Sequence, residues 1–115
     1  MKRGEVWWAD LEPAQGSESN KMRPVVLVSR SSANAAAARH GRGVVSVVPL
    51  TANVEKVYAF QVFMQTQGTG LSKASKAQAE QVRSIDIHRL GKRIGQLSTD
   101  SMQAIGAALR LHLDL

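Results

Sequence analysis

The sequence predicts a small, mainly antiparallel β-barrel with a short internal helix and a C-terminal helix packed on it. Three observations carry this expectation. Short apolar or alternating segments recur between residues 5 and 97, each bounded by Gly, Pro or polar turn formers. Only two segments read as helical. The chain of 115 residues and 12.4 kDa has room for one core and shows no internal repeat or linker, so residues 1–115 form a single domain.

The elements follow in order. Glu5-Val6-Trp7-Trp8-Ala9-Asp10-Leu11, between Gly4 and Pro13, suits a half-buried strand. Residues 12–22 are polar and rich in turn formers, an exposed loop long enough to be functional. Pro24 to Ser29 reads as a fully buried strand that begins at proline, where a missing N–H is tolerated. Ser31 to Arg39 is a short alanine-rich helix, capped by Ser31 or Ser32 and stopped by Gly41. Gly43 to Leu50 is too β-branched for a helix and forms the next strand, followed by Ala59 to Met64 and a turn over Thr66 to Gly70. Lys76 to Val82 alternates small apolar with polar residues, as a strand with one wet face does. Arg93 to Leu97 is the last strand. Ser98 then caps a helix with Met102, Ile105, Leu109 and Leu113 as its apolar stripe.

Composition removes several kinds of chemistry. Cysteine is absent, so there is no disulfide framework, thiolate nucleophile or Cys-ligated zinc. His40, His88 and His112 are scattered and form no metal-ligand spacing, and no phosphate-binding Gly motif occurs. No apolar run approaches the roughly 20 residues that span a bilayer, and no apolar stretch follows the basic N-terminus as in a secretory signal; a cytoplasmic protein is expected. The net charge of +6 favours polyanionic partners. It is unevenly spread. Residues 1–23 sum to zero, residues 24–50 carry Arg30, Arg39 and Arg42 with no acid, and residues 71–93 carry six basic groups against Glu80 and Asp86.

Polar residues cluster where strands begin or end, positions from which distant parts of a chain can converge. Arg23 precedes Pro24, Thr51 follows Leu50, Glu80, Gln81 and Arg83 end the polar-faced strand, and Ser17 and Glu18 lie in the long loop. Each has a plain alternative: Arg23 can cover a strand end, Thr51 is a good turn residue, and Glu80 and Arg83 can form a surface ion pair.

The same residues carry a family resemblance. Arg3-Gly4-Glu5-Val6-Trp7, Gly16-Ser17-Glu18, Arg23-Pro24-Val25-Val26-Leu27-Val28-Ser29, Val47-Val48-Pro49-Leu50-Thr51 and Ala79-Glu80-Gln81-Val82-Arg83-Ser84-Ile85-Asp86 occur in the order and spacing of the MazF/PemK (Kid) toxins of bacterial toxin–antitoxin modules. The chain resembles that family over essentially its whole length. The resemblance implies an SH3-like barrel, a homodimer, and a ribosome-independent endoribonuclease that cleaves single-stranded RNA and is restrained by a MazE-like antitoxin. Arg23 and Thr51 stand at the positions of the family's catalytic pair, with Glu18 and Glu80 at or beside the site. RNA contacts are implied for Gln15, Ser17, Asn20 and Lys21 in the loop, for Asn53, and for Gln78, Gln81 and Arg83. The Kid-like branch has Arg and Asp where this chain has Gln78 and Glu80, and His where it has Ser17, so weight shifts to Arg23.

That chemistry needs neither metal nor cofactor. The RNA 2′-hydroxyl attacks the adjacent phosphorus, leaving a 2′,3′-cyclic phosphate and a 5′-hydroxyl, while the protein orients the backbone and stabilises charge on the phosphorane. Arg23 offers a planar fork and Thr51 a hydroxyl donor. A guanidinium is a poor base, so Glu18 or Glu80 is expected either to take the proton or to hold Arg23 while it relays one. Two rivals make different predictions. A CcdB-like gyrase poison requires a C-terminal Trp-Gly-Ile tail, whereas this chain ends His112-Leu113-Asp114-Leu115. A barrel that binds RNA without cutting it would lose affinity, and no turnover, when Arg23 is removed. The strands Val25–Ser29 and Ala59–Met64 and the last helix are candidate dimer faces.

Overall fold

Strands β1 (Glu5–Asp10), β2 (Met22–Leu27) and β3 (Val44–Thr51) lie side by side at the centre of the computed structural model, which describes all 115 residues. Every pairing is antiparallel. The outer edge of β1 carries β7 (Leu90–Gln96). The outer edge of β3 is shared by β5 (Ser75–Gln78) and β6 (Arg83–Asp86), and β4 (Gln61–Met64) flanks β5. Helix α1 (Ser31–His40) joins β2 to β3, and α2 (Thr99–Leu113) follows β7.

The central strands are apolar on both faces because a helix covers each. Val6, Val26, Val48 and Leu50 point into one core with Leu71, Leu97 and Ile105 of α2. Alternate residues Ala9, Val25, Leu27, Val45 and Val47 point into a second core with Ile85 and Ala37 of α1. Two-sided burial makes Val25-Val26-Leu27-Val28 an unbroken apolar run, each side chain stabilising the fold by about 1.5–3 kcal/mol. The same burial removes this strand as a dimer face, since Val25, Val26 and Leu27 are wholly inaccessible. Phe63 of β4 and Leu111 and Leu113 of α2 are exposed and keep the other two candidate faces open.

The ladder runs from β4 to β7 without joining its two ends. Backbone packing fills the seam instead. A Cβ on Gly95 would lie 2.2 Å from the Thr69 carbonyl oxygen, and one on Gly70, at φ +83°, 2.4 Å from that of Ile94. The turn after β4 is therefore pressed onto β7, an approach that only glycine permits.

Several local expectations change. The strand expected from Pro24 starts at Met22, and the last strand starts at Leu90. Ser98 caps α2 as expected, accepting from the Ser101 N–H at 3.1 Å, and Gly41 ends α1 in the left-handed conformation. Ser31 and Ser32 do not cap α1: Arg30 occupies that position without a side-chain bond, and Ser31 Oγ accepts from the Arg3 N–H. Leu113 is exposed, and Ala108 takes its place in the buried stripe beside Ile105. The strand expected over Lys76–Val82 breaks after Gln78, where Ala79–Gln81 form a 3₁₀ turn. Opposite two residues of β3, Val48 and Pro49, the chain spends five, Gln78 to Val82, before pairing resumes at Val47 with Arg83. Nor is the wet face wet at Lys76, which is buried.

Candidate active site

Two prolines shape the place where β2 and β3 part. Their ladder reaches Val25 opposite Pro49 and stops beside Pro24, and neither proline can donate a hydrogen bond. Extended two residues past that last pair, the same register would bring Arg23 level with Thr51. On the other edge of β3, Thr51 is paired with Lys76 of β5. Cross-strand partners share a face, so Thr51 and Lys76 stand side by side on neighbouring strands about 4.8 Å apart, and the extended register puts Arg23 on the same face. The Arg23 guanidinium is held at both ends by Asn20: Nε donates to the backbone carbonyl at 2.8 Å and Nη2 to Oδ1 at 3.3 Å. Thr51 Oγ1 accepts from the Asn53 N–H at 3.2 Å, which leaves the hydroxyl proton free to donate.

The loop between β1 and β2 crosses this face. Gln81, in the 3₁₀ turn on the far edge of β3, accepts from the Ser19 N–H at 3.0 Å and donates through Nε2 to the Ser17 carbonyl at 2.9 Å. Ser19 Oγ also reaches Gln78 Oε1 at 3.5 Å. Within the loop, Glu18 Oε1 accepts from the Gln15 N–H at 2.7 Å, and Glu12 Oε1 from that of Lys21, which is left-handed at φ 65°. The loop thus starts and ends on strands to one side of β3 and is tied down on the other. Gln78 and Gln81, expected to touch RNA, here hold the loop.

The two candidate bases sit differently. Glu18 is exposed at the loop tip, whereas Glu80 turns toward β4, where Oε2 accepts from Gln61 Nε2 at 2.7 Å. Glu80 Oε1 and Arg83 Nη1 are each buried without a partner, and the alternative of a surface ion pair between the two side chains is not realised. No carboxylate lies within ion-pair distance of Arg23; Asn20, not Glu18 or Glu80, positions it. Sequence reasoning missed Lys76 and the anchoring role of Asn20. The three histidines remain apart, and no three His, Asp or Glu side chains converge as metal ligands would.

Alternate residues of the same strand ends line an apolar groove of about 380 Å³, with Trp8, Met22, Pro24, Leu50, Leu71 and Ile94 in its walls. Arg23 and Lys73 also border it. The groove thus lies on the opposite face of these strand ends from Thr51 and Lys76, with Arg23 at its border.

Arginine and lysine without acidic partners at the strand ends, with a polar loop tied across them, give this small antiparallel β domain a cationic surface of the kind that suits a phosphodiester. The family model for the PemK-like, MazF-like toxins of type II toxin–antitoxin systems matches residues 2–113, and this chain belongs to that family. It is 54% identical over 115 residues to endoribonuclease MazF9 of Mycobacterium tuberculosis, covering all of this chain and 98% of that protein. The fold is similar to that of MazF from Deinococcus radiodurans, with a TM-score of 0.84 at 21% identity, covering 100% and 97% of the two chains. It is also similar to a mycobacterial endoribonuclease solved with its cognate antitoxin, with a TM-score of 0.76 at 24% identity over 100% and 96%.

Proposed function

We propose that this chain is the toxin of a toxin–antitoxin module and a sequence-specific endoribonuclease that cuts single-stranded RNA without a metal, stopping translation and growth. The observation that supports the reading is the β2–β3 register, whose last pair, Val25 with Pro49, lies two residues short of Arg23 and Thr51 at the open end of the two strands. The substrate's own 2′-hydroxyl attacks phosphorus and the 5′-oxygen leaves, giving a 2′,3′-cyclic phosphate and a 5′-hydroxyl. Arg23, aimed by Asn20, neutralises the non-bridging oxygens as charge grows, and Thr51 donates to one of them. Glu18 takes the 2′-hydroxyl proton once the loop tip lets go of Gln15. DNA lacks the attacking group and is not cut.

Base choice belongs to side chains around Arg23 and Thr51: Gln15, Ser17, Asn20 and Lys21 of the loop, Asn53, and Gln78, Gln81 and Arg83 once the loop lifts. The strand-end cations and apolar groove also fit the acidic, flexible tail of an antitoxin, which would compete with RNA and displace the loop. Cytoplasmic RNA as the target and a homodimer as the working form complete the proposal.

The test is a long single-stranded RNA incubated in EDTA with the wild-type chain and with Arg23→Ala, the fragment ends being mapped chemically. Discrete cuts with 5′-hydroxyl ends, lost in the variant, are expected. Intact RNA with folded wild-type protein would overturn the nuclease reading in favour of a barrel that only binds.

A further inference from the structure

Lys76 is an ammonium in an unusual position. It lies on β5 directly opposite Thr51 and is only 8% exposed. Buried lysines are rare unless paired with an acid, because taking the charge out of water is costly. Here there is no acid: neither ion pair of the protein involves Lys76. Its Nζ makes one hydrogen bond, to the Lys56 carbonyl, and stands 6.0 Å from the centroid of the Tyr58 ring. An ammonium has three donors, so two remain for a ligand.

The surroundings select the ligand. Across Thr51 from Lys76 stands Arg23, also without a carboxylate partner. Two cations without acidic partners, on strands that flank Thr51, match the single charge that a phosphodiester shares between its two non-bridging oxygens. A base carbonyl would need a donor there but no charge. We propose that Lys76 is a second cation on the scissile phosphate, binding it from the side opposite Arg23 and strengthening its hold as the phosphorane gains charge. This rests on the endoribonuclease reading above. The bond to Lys56 and the Tyr58 ring hold the ammonium in place beforehand, so little reorganisation accompanies reaction.

A plain anchoring role makes different predictions, since Lys76 also ties down the segment between Thr51 and β4. The experiment uses the full chain as wild type, Lys76→Met, Lys76→Gln, Lys76→Arg and Tyr58→Leu. Binding of a cleavable-site RNA carrying a 2′-deoxy group at the cut is measured across salt, and single-turnover cleavage is measured on the matching all-ribose RNA. Loss of one phosphate contact lowers the slope of log affinity against log salt by about 0.7 in the Met and Gln variants. Their single-turnover rate falls about 10²–10³-fold, the usual effect of removing one charge-stabilising donor. Lys76→Arg keeps the slope, and Tyr58→Leu, which loosens the same segment but leaves the ammonium, keeps it too. An unchanged slope in the neutral variants overturns the proposal, as does a shift in base preference at one position without a slope change. The neutral pair are alternatives: if Met fails to fold, Gln decides. Wild-type protein that neither binds nor cuts RNA would instead sink the nuclease reading, and this inference with it.

Discussion

Gln81 grips the Ser19 amide from sixty-two residues away, its Oε1 3.0 Å from the nitrogen, while its own amide donates to the Ser17 carbonyl. One side chain therefore fixes two points of the loop that crosses the candidate site. Gln81→Ala removes both bonds, each contributing about 0.5–1.5 kcal/mol. The expected result is faster hydrogen exchange at Ser19 with little change at Val26, read by NMR. Unchanged protection at Ser19 would mean that the loop is held by something other than Gln81.

Arg23 is positioned by geometry that lysine cannot copy, because Nε and Nη2 bind two different oxygens of Asn20. A flexible ammonium has no planar fork to be held at two points. Arg23→Lys is therefore expected to lose at least about tenfold in single-turnover cleavage, while Asn20→Ala, which keeps the backbone acceptor, loses about fivefold, equivalent to one hydrogen bond. Near-wild-type cleavage by Arg23→Lys would show that charge alone suffices there.

How legible was all this in the sequence? Local signals read well. Gly41, Ser98 and the apolar run from Val25 specified where helices stop, start and where a strand is buried. Arg23 and Thr51 stood out as polar residues at strand ends. Their shared face was not legible, because it depends on the pairing of segments more than twenty residues apart. Lys76 looked like one polar step of an alternating strand, and only its partner across β3 shows otherwise. The break at Ala79–Gln81 is equally non-local, since three extra residues are absorbed so that β6 can pair with Val47. Glu80 faces inward because Gln61 receives it, a contact that no spacing in the sequence announces.

Two glycine-to-alanine changes should move stability in opposite directions. At Gly95 the new Cβ meets the Thr69 carbonyl oxygen at 2.2 Å, and that oxygen belongs to backbone packed into the sheet's seam. Overpacking of this kind costs about 1–3 kcal/mol or more. At Gly106, within α2, the nearest atoms are guanidinium nitrogens of Arg3 and Arg110 at 4.0 Å, both on flexible side chains. Alanine gains about 0.8–1 kcal/mol of helix propensity there. Chemical denaturation should place Gly95→Ala below and Gly106→Ala above the wild type; the reverse order would contradict the seam.

Asp86 supplies a pH test independent of RNA. The His88 backbone N–H donates to its Oδ1 at 2.8 Å and the imidazole Nδ1 lies equally close, so its carboxyl is held below the ordinary value of 3.8. A depressed folded-state value contributes stability above the unfolded value, and that contribution disappears as pH falls through the folded one. Carboxyl ¹³C titration should show an Asp86 midpoint under 3.8, and His88→Pro, which removes both donors, should return it. A midpoint at or above the ordinary value in the wild type would show that the turn over Ile87–Arg89 is not closed in solution.

The two glutamates can be separated by their surroundings. Glu18 is exposed at the loop tip and is held by one loop amide. Glu80 is committed to Gln61, with its other oxygen buried and unpartnered. Neutralising Glu18 should remove a proton acceptor, costing about 10²–10⁴-fold in single-turnover cleavage. Glu80→Gln keeps the shape and replaces one acceptor by a carbonyl that Gln61 can still reach. It should leave the single-turnover rate close to wild type and alter mainly stability. If Glu80→Gln abolishes cleavage while Glu18→Gln does not, the roles are exchanged, and the carboxylate turned toward β4 must swing out to act.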